Sequence, residues 1–323
     1  MRDTTYNAEA AENAEGMSSQ QMKFGHVSLI GRPNAGKSTL LNRLVGTKIA
    51  IVSDKPQTTR NRILGVRNDP DAQVVFLDTP GIHRPLHRMN RRMVDAAIDT
   101  IQEVDVLGLV IDASERQGRG DRFVIDLVKT AETPVVLMLN KIDLMRKSRL
   151  LPIIDEYSKL ADFTEIVPVS AATGENVDRL ERAIVDHLPE GERRYPADYL
   201  TDQPERLFAA EVVREKLLQF THAEIPFSSA VIVDRFEEPE PAADRTRALL
   251  RLFCTIVVDR ESQKPIVVGR GGEMIKKIGS AAREELERFF GMRVFLDLHV
   301  RVRADWREDD RILGDIGVGP RDT

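Results

Sequence analysis

GRPNAGKS, Gly31 to Ser38, lies between the apolar run HVSLI and the helix-like run STLLNRLV. It fits G-x-x-x-x-G-K-[S/T], and the strand–loop–helix context gives that pattern a mechanism. Backbone N–H groups of such a loop, with the helix N-terminus behind them, surround the phosphates of a nucleotide. The residues that this assigns to the site are Gly31, Arg32, Pro33, Asn34, Ala35, Gly36, Lys37, Ser38 and Thr39. Lys37 would reach the β/γ oxygens, and Ser38 would bind Mg²⁺. Average composition produces the pattern by chance in roughly 1% of chains this long, and fewer of those would have the right flanks.

Outward from this loop, residues Gly25 to about Pro189 alternate short apolar runs with amphipathic stretches. HVSLI, AQVVFLD, DVLGLVID, PVVLMLN and EIVPVS read as buried strands, and the stretches between them carry apolar residues at helical spacing. This predicts an α/β fold, a doubly wound, mostly parallel sheet with its ligand crevice at the carboxyl ends of the strands. PEGERRYPADYLTDQP, Pro189 to Pro204, has prolines and charges but little apolar pattern, as a linker does. Beyond it come a helix (RLFAAEVVREKLLQF), two long strand-like runs, a glycine loop, a long helix to Phe290 and a last strand, MRVFLDLHVRVR. The expected divisions are a disordered tail over 1–23, a nucleotide-binding domain over 24–190, a linker over 191–205, an α+β domain over 206–303 and a C-terminal tail over 304–323.

Three further motifs identify the nucleotide. In LDTPG, Asp78 ends a strand where an aspartate would hold Mg²⁺, and Gly81 offers its N–H to a γ-phosphate, with Thr79, Pro80 and Ile82 beside them. In LNKID, Asp143 can accept from both N1–H and N2–H₂ of guanine as a bidentate, charge-assisted pair. Adenine lacks that donor pair, and a carboxylate left unpaired would reject it. Lys141 would lie along the base plane, Asn140 would brace the loop and Ile142 completes the motif. VSAATG then places Ser170 and Ala171 to contact the guanine O6. The predicted ligand is GTP, with GDP as product, and the predicted activity is GTP hydrolysis.

GRPNAGKSTLLN, SDKPQTTRNRI, DTPG, NKID and VSAATG together resemble the G domain of the Era family of small GTPases, a Ras-like P-loop fold. The resemblance implies that QTTR is the switch-I element, with Thr58 or Thr59 closing on Mg²⁺ in the GTP state; the sequence leaves that choice open. Catalysis would then involve Lys37, Thr58, Thr59 and Gly81. Ile82 stands where Ras-type enzymes carry a water-orienting glutamine. The resemblance implies slow intrinsic hydrolysis and a K⁺ ion, for which Asn34 matches the associated P-loop asparagine.

GRGG, Gly269 to Gly272, lacks the spacing of a second P-loop or of a dinucleotide fingerprint. It fits G-x-x-G, preceded by IVV and followed by MIKKI, and is similar to the loop by which KH domains clamp about four nucleotides. Gly269, Arg270, Gly271, Gly272, Lys276 and Lys277 are its candidate RNA-binding residues. The order helix, two strands, GxxG, helix, strand resembles the type II KH layout, and the resemblance to the Era family continues to about Gly314. It implies binding near the 3′ end of 16S rRNA, action in maturation of the small (30S) ribosomal subunit, a monomer, and peripheral association with the inner face of the cell membrane. Two other readings stay open: a superfamily GTPase acting on another RNA such as tRNA, and an RNA chaperone that binds GTP with little hydrolysis.

Bulk properties set limits. The 323 residues carry 47 Lys+Arg against 52 Asp+Glu, a net charge of −5, so the chain does not coat nucleic acid by charge alone. No apolar run approaches the length that spans a bilayer, and the first residues lack a signal-peptide pattern. One cysteine, Cys254, in the apolar run LFCTIVV, permits no internal disulfide and fits a reducing cytoplasm. The six histidines show no metal-ligand spacing; His83 and His87 fall in the expected switch II. Trp306 and Phe295 are expected to pack rather than to stack on bases.

Overall fold

A computed structural model describes residues 22–55, 58–82, 88–101, 103–239 and 248–318. The expected N-terminal tail, Gln57, His83 and His87 fall wholly or almost wholly outside these residues.

The first sheet has six strands: β1 (Lys23–Ile30), β2 (Ile63–Asn68), β3 (Ala72–Asp78), β4 (Val106–Asp112), β5 (Val135–Asn140) and β6 (Glu165–Pro168), in the order β2-β3-β1-β4-β5-β6. Only β2 runs antiparallel, paired with β3. The apolar runs of the parallel strands are buried on both faces, as a helix-covered sheet requires. Helices α1 (Lys37–Val45) and α5 (Val177–Asp186) pack on one face through Leu40, Leu41, Leu44, Leu180 and Ile184. On the other face lie α2 (Arg88–Ile101), α3 (Arg119–Val128) and α4 (Leu150–Ser158), through Ala97, Ile101, Val124, Ile125 and Tyr157. The chain leaves β1 toward β3 on one side and β4 on the other, so the switch point falls at the end of β1, where GRPNAGKS begins.

β2 is the strand that sequence periodicity misses. ILGVRN is short and broken by Gly65, which reads as a weak strand. The glycine is needed because a Cβ there would lie 2.5 Å from Ile49 Cδ1 and 2.8 Å from Val45 Cγ2.

After residues 191–204, which form no regular element, come α6 (Glu205–Phe220), β7 (Ser229–Glu237), β8 (Leu249–Val258), α7 (Lys264–Val268), α8 (Glu273–Phe290) and β9 (Arg293–Val302). The strands form a second sheet, β7-β8-β9, antiparallel then parallel, with α6 and α8 over one face. The IVV run before GRGG belongs to a short helix, begun by Pro265 in its first turn, rather than to a strand. Cys254 is buried in this core.

Residues 304–318 are not a tail. Asp309 caps α9 (Asp310–Asp315), accepting from Arg311 N and Ile312 N, and Trp306, Leu313 and Ile316 are buried. They pack on Met89 and Met93 of α2 and on Ala230 and Val257 of the second sheet. Trp306 Nε1 donates to Ser228 O at 3.0 Å. A segment this polar reads as a tail because its few apolar residues find their partners on two distant elements.

Candidate active site and nucleic-acid interface

The loops after β1 and β3 need their glycines for contact. A Cβ on Gly36, at φ 95°, would sit 2.3 Å from Asn140 Nδ2, and one on Gly81 would sit 2.7 Å from Pro33 Cα. Asn140 donates to Ala35 O at 2.9 Å and accepts from Ala171 N at 3.0 Å, so it ties the phosphate loop to the SAA loop. Asn34 adopts φ 65°, and its amide nitrogen donates to Asp54 O at 2.6 Å.

Lys37 is buried and donates to Gly31 O and Arg32 O, each at 3.1 Å. Burial pushes its ammonium down to about 8 against the pull of Asp78. Asp78 is pushed up by its own burial, opposed by Lys37, Ser38 and Thr59. Ser38 Oγ donates to Asp78 Oδ2 at 2.6 Å, Thr59 Oγ1 donates to the same oxygen at 3.1 Å, and the two hydroxyls lie 2.6 Å apart. Thr58 turns away, its hydroxyl donating to Lys55 O at 2.6 Å. Three hard oxygen donors therefore converge, and Asp78 Oδ1 is buried without a hydrogen-bond partner among the described residues. Oxygen-only donors with a single carboxylate suit Mg²⁺, which takes its other ligands from phosphate and water.

At the base end, Asp143 Oδ1 accepts from Ser170 Oγ at 2.5 Å. Lys141, at φ 66°, reaches Asp112 Oδ2 at 2.7 Å. Burial alone would raise Asp112; Lys141 and Ser114 outweigh it and hold the carboxyl below its ordinary value. Asp112 was not legible as a site residue, although its place at the end of a buried strand on the ligand edge is a signal. Among the expected residues, Arg32 sends its guanidinium to Glu115 (2.5 Å) and Asp121 (3.0 Å). Thr79 Oγ1 donates to Leu29 O at 2.9 Å, and the Ile82 and Ile142 side chains are buried. These four hold the loops by packing and hydrogen bonds. The cavity itself is lined by residues including Asn34, Lys37, Ser38, Thr39, Thr59 and Lys141.

In the second domain Gly269, Gly271 and Gly272 have φ of 76°, 60° and 83°, three positive values in four residues that favour glycine. A Cβ on Gly269 would strike Met274 N at 2.6 Å, whereas Gly271 and Gly272 face open space. The loop stands at the N-terminus of α8, whose dipole favours an anion. Arg270 and Lys276 are exposed; Lys277 lies over the Phe220 ring at 4.3 Å.

Sequence reasoning missed the contacts between the domains. Arg214 of α6, buried, donates to Thr58 O and to Glu211, and Glu215 accepts from Val52 N at 2.8 Å. Lys48 bridges Glu215 at 2.8 Å and also Glu285 of α8.

Residues 26–141 match the family model for a 50S ribosome-binding GTPase, and residues 230–307 match that for a KH domain. The chain is 49% identical over 301 residues to GTPase Era of Geobacter metallireducens, covering 93% of this chain and 99% of that one. To GTPase Era of Syntrophus aciditrophicus it is 49% identical over 304 residues, covering 94% and 98%. A crystal structure of Era with MgGDPNP and nucleotides 1506–1542 of 16S ribosomal RNA superposes with a TM-score of 0.88 at 43% identity, covering 93% of this chain and 100% of that one. A single-residue variant of Aquifex aeolicus Era bound to GDP.AlF4⁻ gives 0.87 at 43% identity, with the same coverage. With 49% identity to these proteins over nearly the whole of both chains, and with both family models matched in this order, the chain belongs to the Era family of GTPases.

Proposed function

We propose that the chain hydrolyses GTP in the cleft after β1 and binds the 3′ region of 16S rRNA through the GRGG loop, acting in maturation of the 30S subunit as a monomer. The observation that carries the nucleotide half is the meeting of Ser38, Thr59 and Asp78 within hydrogen-bond reach of one another. The relative crystallised with MgGDPNP and an RNA fragment supports both halves of the reading.

In this reading Lys37 leaves its two carbonyl partners for the β/γ oxygens, exchanging two dipoles for full negative charge. Ser38 and Thr59 hold Mg²⁺, with Asp78 behind them; bound there, the ion would bridge phosphate oxygens and offset developing charge. Of the two switch-I threonines, the reading therefore takes Thr59. Gly81 offers its N–H to the γ-phosphate, and Asp143, held by Ser170, reads guanine. Ile82 is only 1% exposed and cannot orient water, so the unaided rate is slow. Asn34, its nitrogen engaged at Asp54, has its amide oxygen left to coordinate K⁺. Membrane association belongs to the same reading as a peripheral contact; among the described residues no helix is long and apolar enough to cross a membrane.

The test is GTP turnover by the full chain with Mg²⁺, in potassium and in sodium, with and without RNA spanning 16S nucleotides 1506–1542. Turnover faster in potassium, and faster again with RNA, is expected. Tight GTP binding without turnover in any condition would leave the RNA-chaperone reading in its place.

A further inference from the structure

Thr59 is one residue in a short segment whose two neighbours are both held by the other domain, Thr58 through its backbone and Arg60 through its side chain. On one side Arg214 of α6 donates to the Thr58 carbonyl oxygen. On the other, Arg60 Nη2 donates to Ser229 O at 3.0 Å, and its guanidinium lies 5.4 Å from the centre of the Trp306 ring. Upstream of Thr58 the same helix acts again, Glu215 accepting from Val52 N. Both arginines are buried, at 1% and 3% exposure, so these are internal contacts and not surface ion pairs.

From these contacts we propose that Arg214, a residue of the RNA-binding domain, is a positioning residue for the GTPase reaction: it holds the Thr58–Thr59 peptide so that Thr59 Oγ1 reaches the Mg²⁺ site. The inference rests on the reading above that Thr59 serves the metal of bound GTP. Its logic is pre-organisation. Closing switch I costs conformational entropy, and a loop already held in its ligand-bound shape does not meet that cost at the moment of binding. A charged donor on a carbonyl is among the stronger hydrogen bonds available for such a hold. GTP gains from it because only the γ-phosphate-bearing state uses Thr59; GDP gains little.

The cluster is also under-paired. Arg214 has a carboxylate, Glu211, which accepts from its Nε at 2.7 Å. Arg60 has no such direct ion pair among the described residues, and its Nε and Nη1, like Arg214 Nη1, are buried without hydrogen-bond partners there. Burial and the neighbouring Arg214 push the Arg60 guanidinium down to about 9. An interface that buries two guanidinium groups against one nearby carboxylate is costly to hold closed.

The experiment measures binding of a non-hydrolysable GTP analogue and of GDP to the full chain, each across a Mg²⁺ titration, for wild type, R214A and R214K. R214A should bind the GTP analogue about tenfold more weakly, the loss of one charge-assisted hydrogen bond, while GDP changes less than about twofold. The Mg²⁺ concentration needed for half-saturation with the analogue should rise several-fold. R214K keeps a donor within reach of Thr58 O and should recover part of the loss, and it carries the test if R214A fails to fold. Equal losses for the two nucleotides would make Arg214 merely structural, and unchanged binding of both in a folded variant would remove it from the site. Either result overturns the proposal. The wild-type protein is the control for the underlying reading: if it shows no Mg²⁺-dependent preference for the GTP analogue, the assignment of Thr59 fails first.

Discussion

Replacing Asp143 by Asn exchanges a carboxylate for an amide and should change the base that the protein reads. Asp143 Oδ1 is fixed by the Ser170 hydroxyl at 2.5 Å, so the carboxylate has little freedom to turn. Against guanine it accepts twice, from N1–H and from N2–H₂, and each hydrogen bond to a charged group contributes about 1.5–3 kcal/mol. An asparagine keeps one acceptor and turns the other into a donor facing a donor. Losing one of the two charged hydrogen bonds removes about 1.5–3 kcal/mol, and the donor–donor contact adds to it, so GTP affinity should fall by at least about 10–10²-fold. Xanthine carries an oxygen where guanine has its amino group, so the new donor gains a partner and xanthosine triphosphate binding should improve. Ser170→Ala separates positioning from recognition: it should weaken GTP by about tenfold, one hydrogen bond, with no gain for the xanthine nucleotide. Competition between the two nucleotides for a fluorescent analogue measures all three proteins. If D143N kept the wild-type preference for GTP while remaining folded, the base would not lie at Asp143 and the assignment of LNKID would be wrong.

Among its carbonyl partners Lys37 titrates near 8, where an unfolded lysine titrates near 10.5. The unfolded state therefore binds more protons between those values, and the stability of the nucleotide-free protein should rise with pH across that window. Phosphate restores the proton, so GTP binding at a pH of about 8.5 should take up part of a proton and weaken as pH rises further. Calorimetry in two buffers of different protonation enthalpy reads this directly, and equal heats in both would refute it. In the second domain, Arg270→Asp with Gly271→Asp places carboxylates where the clamp meets phosphate. RNA affinity should fall, and its log–log salt dependence should flatten by about 0.7 for each phosphate that the loop no longer neutralises. GTP binding should not change, and RNA held as tightly as by wild type would reduce GRGG to a simple turn.

The fold was legible because its evidence is local. Strands buried on both faces write themselves as VVFLD and VVLMLN, and a phosphate loop works through backbone N–H groups that eight consecutive residues supply. The three glycines of GRGG are needed for their own φ values, which requires no distant partner. What the sequence could not decide is which groups meet across the chain. That Thr59 rather than Thr58 meets Ser38 depends on an oxygen of Asp78 at the end of β3. Asp112 enters the site only because β4 and β5 are neighbours in register, Asp112 beside Asn140. Gly65 hid an edge strand because the space that it vacates is taken by Val45 of α1 and by Ile49. Trp306 was expected to pack, but its partners were not legible, because Met89, Met93 and Ala230, which bury it, lie far from it in sequence. Arg214 and Thr58 are 156 positions apart, and nothing in the residues around either predicts the contact. A motif states its own backbone geometry, whereas a hydrogen bond between distant side chains exists only after two domains have packed.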